Sequence, residues 1–254
     1  TALRNSWLQH VQPHQMAARF VVRAGCTSPQ EVAAAIPDAS RADVLLLRDV
    51  CYNETRVRAP ILSLYSWLRH AKERYPNARW IGKLDDDVWL RPSTVALEVA
   101  RLEARGARNV YLGSFQFSSW KDNHITGFAF EYWSAREKPG AIGPFPFAQG
   151  YFTLLSSGLA DMLVQSSGLA REVEQIRSLT LSRGPQLVYE DVWLGSLLHR
   201  FPPTRQVKYV SLPPIAALGG KGGAMLHSEA LWSFTSSRFS LLTHIRSKRP
   251  EYYL

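Results

Sequence analysis

Five consecutive residues, Lys83-Leu84-Asp85-Asp86-Asp87, carry the densest chemistry in the chain. Three adjacent carboxylates repel one another and are tolerated only in water or beside a cation. They close an apolar stretch, residues 79–84, that reads as a strand. Alternate residues of a strand share a face, so Asp85 and Asp87 are expected on one side and Asp86 on the other. Open α/β sheets bind ligands at the carboxyl ends of their strands. Two convergent carboxylates there suit a hard divalent ion, Mg or Mn, with diphosphate oxygens completing the coordination. The plain alternative is a solvated turn whose Asp side chains cap the backbone that follows. The tripeptide alone leaves both open.

A second acidic group lies in Tyr189-Glu190-Asp191-Val192-Trp193-Leu194-Gly195. Carboxylates favour helix N-termini because of the orphan amides and the dipole, which accounts for most such pairs. The functional reading makes one of them a general base facing a cleft, within hydrogen-bond reach of the proton it takes. Among the histidines, His244 ends an apparent strand over 238–244 and is the candidate to complete a metal site as neutral imidazole. His227, after the glycine-rich stretch 219–223, is its rival, and a lone histidine is more often a surface or core residue. Asn53-Glu54-Thr55 is the single glycosylation sequon, which matters only in a secretory setting.

The elements that position these groups alternate. Strands are expected over 17–23, 43–48, 79–84 and 109–115, and helices over 28–36, 58–75 and from Pro92 to about Gly106. That alternation predicts a mostly parallel sheet covered by helices. Residues 116–149, rich in aromatics, Gly and Pro, are expected as loops and short antiparallel pieces. A strand over 150–155, helices over 158–167 and 189–201, and strands over 206–212 and 238–244 complete the chain. No repeat or linker divides it, so residues 1–254 read as one domain. The regular part, about residues 1–92, and the less regular part, about 93–254, are expected as two functional halves.

The chain has 254 residues, 46% hydrophobic and 20% charged, enough for a core and unlike a disordered tail. No apolar run reaches the roughly 18 residues of a membrane span. Two cysteines, Cys26 and Cys51, allow one bridge or none. The formal net charge of +9 suits an anionic partner such as a phosphorylated small molecule. Basic residues are scattered and no nucleic-acid-binding motif is present, so no nucleic-acid partner is expected.

Taken in order, these pieces resemble glycosyltransferase family 31, the β-1,3-galactosyl and N-acetylglucosaminyl transferases and their Fringe relatives. Arg4-Asn5-Ser6-Trp7 resembles the family's opening Arg-x-x-Trp. Arg48 to Thr55 is similar to its Asp-x-Tyr-x-Asn-Leu-Thr stretch, and Lys83 to Val88 to its Lys-x-Asp-Asp-Asp-Val. Glu190-Asp191-Val192-Trp193-Leu194-Gly195 is similar to its Glu-Asp-Val-x-x-Gly, and Thr243-His244 to its late Val-His.

The resemblance implies a GT-A fold, a Rossmann-like mixed sheet flanked by helices. It would make residues 1–92 the nucleotide-sugar-binding half and 93–254 the acceptor half. It implies an inverting, Mn-dependent hexosyltransferase moving a sugar from a UDP-sugar to a glycan or glycoconjugate hydroxyl in a β-1,3 linkage. Asp87, Asp85 and His244 would hold the metal; Asp85, Asp86, Lys83 and Arg4 would serve the donor nucleotide; Asp191 would be the base. Trp120, Tyr132, Trp133 and Phe145 are candidates to stack on the acceptor. A Golgi type II protein is implied, with its membrane anchor upstream of Thr1. A bridge between Cys26 and Cys51 and the sequon at Asn53 agree with a lumenal setting.

The chain departs from the family pattern in two places. The strand that normally precedes Arg-x-x-Trp is not expected within residues from Thr1 onward, so either it lies upstream or the donor pocket is built differently. Ala148-Gln149-Gly150-Tyr151 replaces a Cys-containing Ser-Gly-x-Gly-Tyr stretch. The alternative class is therefore a catalytically inactive glycan- or sugar-nucleotide-binding module of the same fold.

Overall fold

The computed structural model describes residues 4–11, 16–36, 38–55, 58–86, 88–121, 141–178, 189–200, 207–211 and 242–244. Its first unit follows local rules. Strand β1 (Phe20–Gly25) leads to helix α1 (Pro29–Ala35) and strand β2 (Val44–Cys51). Ser28 Oγ accepts the Glu31 N–H, Glu31 Oε2 accepts the Ser28 N–H, and Pro29 opens the helix. That reciprocal cap sets the helix start. β1 and β2 pair in parallel, and a Cys26–Cys51 disulfide ties their carboxyl ends.

Helix α2 (Arg58–Arg74) buries Ile61, Leu62, Leu64, Tyr65, Leu68 and Ala71. Their three- and four-residue spacing makes one apolar face. The remaining elements are β3 (Trp80–Leu84), β4 (Val88–Leu90), α3 (Pro92–Ala104), β5 (Val110–Lys121), β6 (Ala141–Ser156), α4 (Ser157–Gln165), α5 (Ser167–Ser178), α6 (Glu190–Arg200), β7 (Lys208–Ser211) and β8 (Leu242–His244). The main sheet has the order β3-β6-β5-β7, while β1-β2 and β4-β8 form separate pairs.

Two hydrophobic cores cover the two faces of that sheet. On one, Ile81, Tyr111 and Leu155 pack with Ile61, Leu68, Leu159, Ile176, Trp193 and Leu197 from α2, α4, α5 and α6. On the other, Val110, Leu112 and Phe152 pack with Val95 and Leu102 of α3 and with Trp7 of a short 3-10 helix, Trp7–His10. Adjacent residues 110, 111 and 112 alternate between the cores, as strand geometry requires.

Two expectations are corrected. The sheet is mixed rather than mostly parallel, because β6 lies between β3 and β5 and runs against both. Residues 116–149 are less irregular than expected, since β5 extends to Lys121 and β6 begins at Ala141. Pro146 masked this in the sequence. It pairs with Phe117 in a stretch of β6 that β3 does not reach, and an edge tolerates the missing N–H.

Candidate active site

Three segments converge where β3 ends. Beyond Leu84 the chain turns: the Asp85 N–H donates to Tyr151 O at 3.1 Å, and the Asp85 carbonyl accepts the Val88 N–H at 3.3 Å. The strand stops at Leu84, so the alternation expected to put Asp85 and Asp87 on one face does not extend past it. Asp87 lies outside the described residues. Asp85 stays partly exposed at the cleft and Asp86 is exposed beside it.

The second segment is a bulge in β6. Gly113 pairs with Thr153 but Phe115 pairs with Ala148, so β6 takes up several extra residues opposite Ser114. Bulges re-aim side chains beside functional sites. This one brings Gln149, Gly150 and Tyr151 to the cleft wall. The third segment is the first turn of α6, carrying Glu190 and Asp191. Together they enclose a cleft of about 330 Å³ lined by Asp85, Gln149, Tyr151, Tyr189, Glu190 and Asp191. That volume lies within the range of small-molecule sites.

Helix α6 is fixed from two sides. Gly195 sits against β6 so closely that an added Cβ would lie 2.5 Å from Phe147 Cβ and 2.6 Å from Pro146 O. The glycine of the Glu-Asp-Val-x-x-Gly motif is thus a packing requirement. Opposite it, buried Glu172 of α5 accepts the Trp193 indole N–H at 2.7 Å and both terminal nitrogens of Arg200.

Lys83 joins the three segments. Its ammonium donates to Asp85 Oδ1 at 2.8 Å, Gly150 O at 2.6 Å and Glu190 Oε1 at 2.7 Å. Three acceptors match its three hydrogens. Burial alone would lower its pKa, but Glu190 and Asp85 outweigh burial, and the net displacement is upward from the usual lysine value. It is a permanent cation here.

Asp191 is held by backbone. The Gly150 N–H donates to Oδ2 at 3.0 Å and the Val192 N–H to Oδ1 at 2.7 Å. Burial, and then the charge of Glu190, push its pKa up to about 6 against those two donors and Lys83. A buried carboxylate so raised, on a cleft, is basic enough to take a proton at neutral pH.

The expected site residues divide accordingly. Lys83, Asp85 and Asp191 are brought together, with Asp86 at the margin. Arg4 is elsewhere: it pairs with Asp38 and Asp43, and its guanidinium lies over the Phe20 ring. Phe20 begins β1 and Asp43 precedes β2, so Arg4 is at the opposite strand ends from the disulfide. Of His244 the backbone is described: β8 pairs antiparallel with β4, setting His244 opposite Val88, the neighbour of Asp87. Among the described residues no three His, Cys, Asp or Glu side chains form a metal-binding group.

Phe145, expected as a stacking platform, is fully buried against the His199 ring and belongs to the core. Tyr132 and Trp133, the Trp120 side chain and His227 lie outside the described residues. The sequence reading missed Gln149 and Tyr189. The departure from the Ser-Gly-x-Gly-Tyr pattern at Gln149 was the available signal for the first, and Tyr189 carried none.

A mixed sheet flanked by helices, with an acidic turn at a strand end and a raised carboxylate lining the same cleft, is consistent with a GT-A-like glycosyltransferase fold. The family model described as galactosyltransferase matches residues 1–201, and the chain belongs to that family of β-1,3-galactosyltransferase-like enzymes, glycosyltransferase family 31. The match ends before β7 and β8. None of the curated proteins compared with the chain matches it.

Proposed function

We propose that this glycosyltransferase is an inverting, metal-dependent hexosyltransferase. It moves a sugar from a UDP-sugar to a hydroxyl of a glycan, glycoprotein or glycolipid acceptor, forming a β-1,3 linkage. The observation that carries this reading is Asp191, fixed by two backbone N–H groups on the cleft wall with its pKa pushed up to about 6.

Asp191 takes the proton of the attacking hydroxyl as that oxygen bonds to the anomeric carbon. The bond from that carbon to the diphosphate oxygen breaks, and UDP leaves with the electron pair. A single displacement inverts the anomeric centre, so no second carboxylate nucleophile is needed beside Asp191. Glu190 is occupied by Lys83 and does not compete for the role. Lys83 adds positive potential next to the turn that would face the diphosphate.

Carboxylates and an imidazole are donors of the kind a hard divalent cation such as Mn takes. Asp85 and Asp86 offer carboxylate oxygens at the turn, and the β4–β8 pairing aligns His244 with the residue after Asp87. Asp85, Asp87 and His244 would hold the ion, whose chemistry when bound is charge neutralisation of the departing diphosphate. A lumenal Golgi location, with a membrane anchor preceding this segment, is part of the proposal. The Cys26–Cys51 bridge supports an oxidising compartment, and Asn53 of the sequon is exposed.

Calorimetry of UDP with and without Mn tests the donor site, and release of UDP from UDP-sugars tests turnover. Mn-dependent binding that Asp87→Ala abolishes, with turnover that Asp191→Asn abolishes, is expected. Donor binding without turnover would leave the inactive binding module. Neither binding nor turnover would overturn the enzyme reading.

A further inference from the structure

The proposed transfer does not use one polar side chain on the cleft wall. Gln149 Oε1 accepts two hydrogen bonds, from the Tyr151 hydroxyl at 3.0 Å and the Ser114 hydroxyl at 3.3 Å. Those two donors fill both lone pairs of the amide oxygen. The carboxamide is planar, so its NH2 group faces away from them. Among the described residues nothing accepts from that NH2. The buried side-chain atoms without a partner there are Nε of Arg177 and Nε of Arg200, so Gln149 Nε2 is open to solvent through the cleft it lines.

Such an arrangement is costly for an idle side chain. An exposed glutamine keeps its rotamers, whereas this one is locked at an entropic cost of about 1–2 kcal/mol. Gln149 and Asp191 line the same cleft, and Gln149 precedes Gly150, whose N–H holds Asp191 Oδ2. Tyr189, two residues before Asp191, lines the same cleft with 62% of its surface exposed. An exposed aromatic face beside a fixed amide donor matches the two faces of a pyranose, its C–H surface and its hydroxyl edge.

We infer that Gln149 determines acceptor specificity by donating from Nε2 to an oxygen of the sugar that bears the attacking hydroxyl, while Tyr189 covers that sugar's apolar face. The inference rests on the transfer reading above and names the acceptor as a neutral hexose at this subsite. The oxygen belongs to a ring hydroxyl or to an acetamido carbonyl. The two differ chemically: a hydroxyl can turn and donate instead, a carbonyl can only accept.

The test uses the whole chain with Mn and UDP and two probes, methyl β-galactoside and methyl β-N-acetylglucosaminide. Binding is followed by saturation-transfer NMR in wild type, Gln149→Met and Gln149→Glu, each with its melting temperature. Wild type is expected to bind at least one probe, and Gln149→Met to weaken it about 10-fold at unchanged melting temperature. Gln149→Glu, which only accepts, keeps binding within about threefold if the oxygen is a hydroxyl and abolishes it if it is an acetamido carbonyl. Gln149→Ala, which also lacks the amide donor, is read as Gln149→Met is if that variant fails to fold.

Equal binding by wild type and both variants would overturn the inference and make Gln149 a structural tie. Binding of neither probe by wild type would also overturn it. UDP release from the donor without acceptor, measured in the same samples, judges the transfer reading independently.

Discussion

Lys83 Nζ lies 2.7 Å from Glu190 Oε1, joining the end of β3 to the first turn of α6 across 107 residues of sequence. The same ammonium holds Asp85 and the Gly150 carbonyl. One cation thereby fixes the acidic turn, the β6 bulge and α6 relative to one another. It also offsets the repulsion that adjacent Glu190 and Asp191 would otherwise meet.

Lys83→Met is expected to leave two carboxylates in that corner uncompensated. Removing one partner of a fully buried pair costs about 3–5 kcal/mol, and the partial exposure here lowers that to about 2 kcal/mol. Because Lys83 holds the Asp191 pKa down, its loss moves the acid limb of kcat/KM to higher pH. Urea denaturation and a pH–rate profile check both effects. Unchanged stability would mean that the bridge is not formed.

The acid limb of the wild-type profile is expected near pH 6, where Asp191 loses its proton and becomes a base. Glu190→Gln removes the like charge that raises this pKa, so the limb moves to lower pH. A limb that stays in place in Glu190→Gln would show that the titrating group is not Asp191.

The same carboxylate opposes folding at neutral pH. Its folded pKa of about 6 stands above the ordinary aspartate value of 3.8. The fold therefore disfavours the charged form. The penalty is absent below the unfolded pKa, grows as pH rises through the interval and is complete above about 6. Asp191→Asn keeps an oxygen for the Gly150 N–H and removes the charge. It is expected to be more stable than wild type by about 2 kcal/mol at pH 7 and equal to it near pH 3, while losing turnover. Thermal melts at the two pH values settle the sign.

Gly195→Ala would drive a methyl into Phe147 and the Pro146 carbonyl. Both obstacles are backbone or its first side-chain carbon, so neither can swing away. A loss of about 2–4 kcal/mol is expected, with α6 and its carboxylates displaced. Near-normal stability in a denaturant titration would contradict the close helix–strand approach.

Arg4→Ala is expected to leave UDP affinity unchanged and to lower stability by about 1 kcal/mol. Its guanidinium is committed to Asp38 and Asp43. A marked loss of UDP affinity would restore the nucleotide role expected from the Arg-x-x-Trp motif.

Local signals explain what was legible in the sequence. The Ser28–Glu31 cap, Pro92 at the start of α3 and the apolar spacing of α2 act within a few residues, and those elements lie close to where they were expected. Carboxylates at a strand end or a helix start have common structural uses, so Asp85 and Asp191 stood out through the stretches that hold them, which resemble the family's Lys-x-Asp-Asp-Asp-Val and Glu-Asp-Val-x-x-Gly. The Lys83–Glu190 bridge was not legible, because nothing local to either residue reports the other. Gln149 was hidden for a related reason. Its exposure to the cleft depends on the register slip between Gly113 and Phe115 in the neighbouring strand. Arg4 shows the converse: a motif can match while long-range partners, here Asp38 and Asp43, claim the side chain.

The sheet order bears on how the enzyme is made. Among the described residues β3 finds its strand partner in β6, and Asp191 arrives later still, on α6. A chain leaving the ribosome can close β1, α1 and β2 early, because their contacts are local and Cys26 meets Cys51 only 25 residues on. The central sheet must wait for the second half, and such distant pairings form slowly. An incomplete chain thus carries Lys83 and the acidic turn without the Gly150 carbonyl and Glu190 that anchor them. A chain that stops before α6 therefore lacks Glu190 and Asp191, and the cleft has no second acidic wall until that helix is translated.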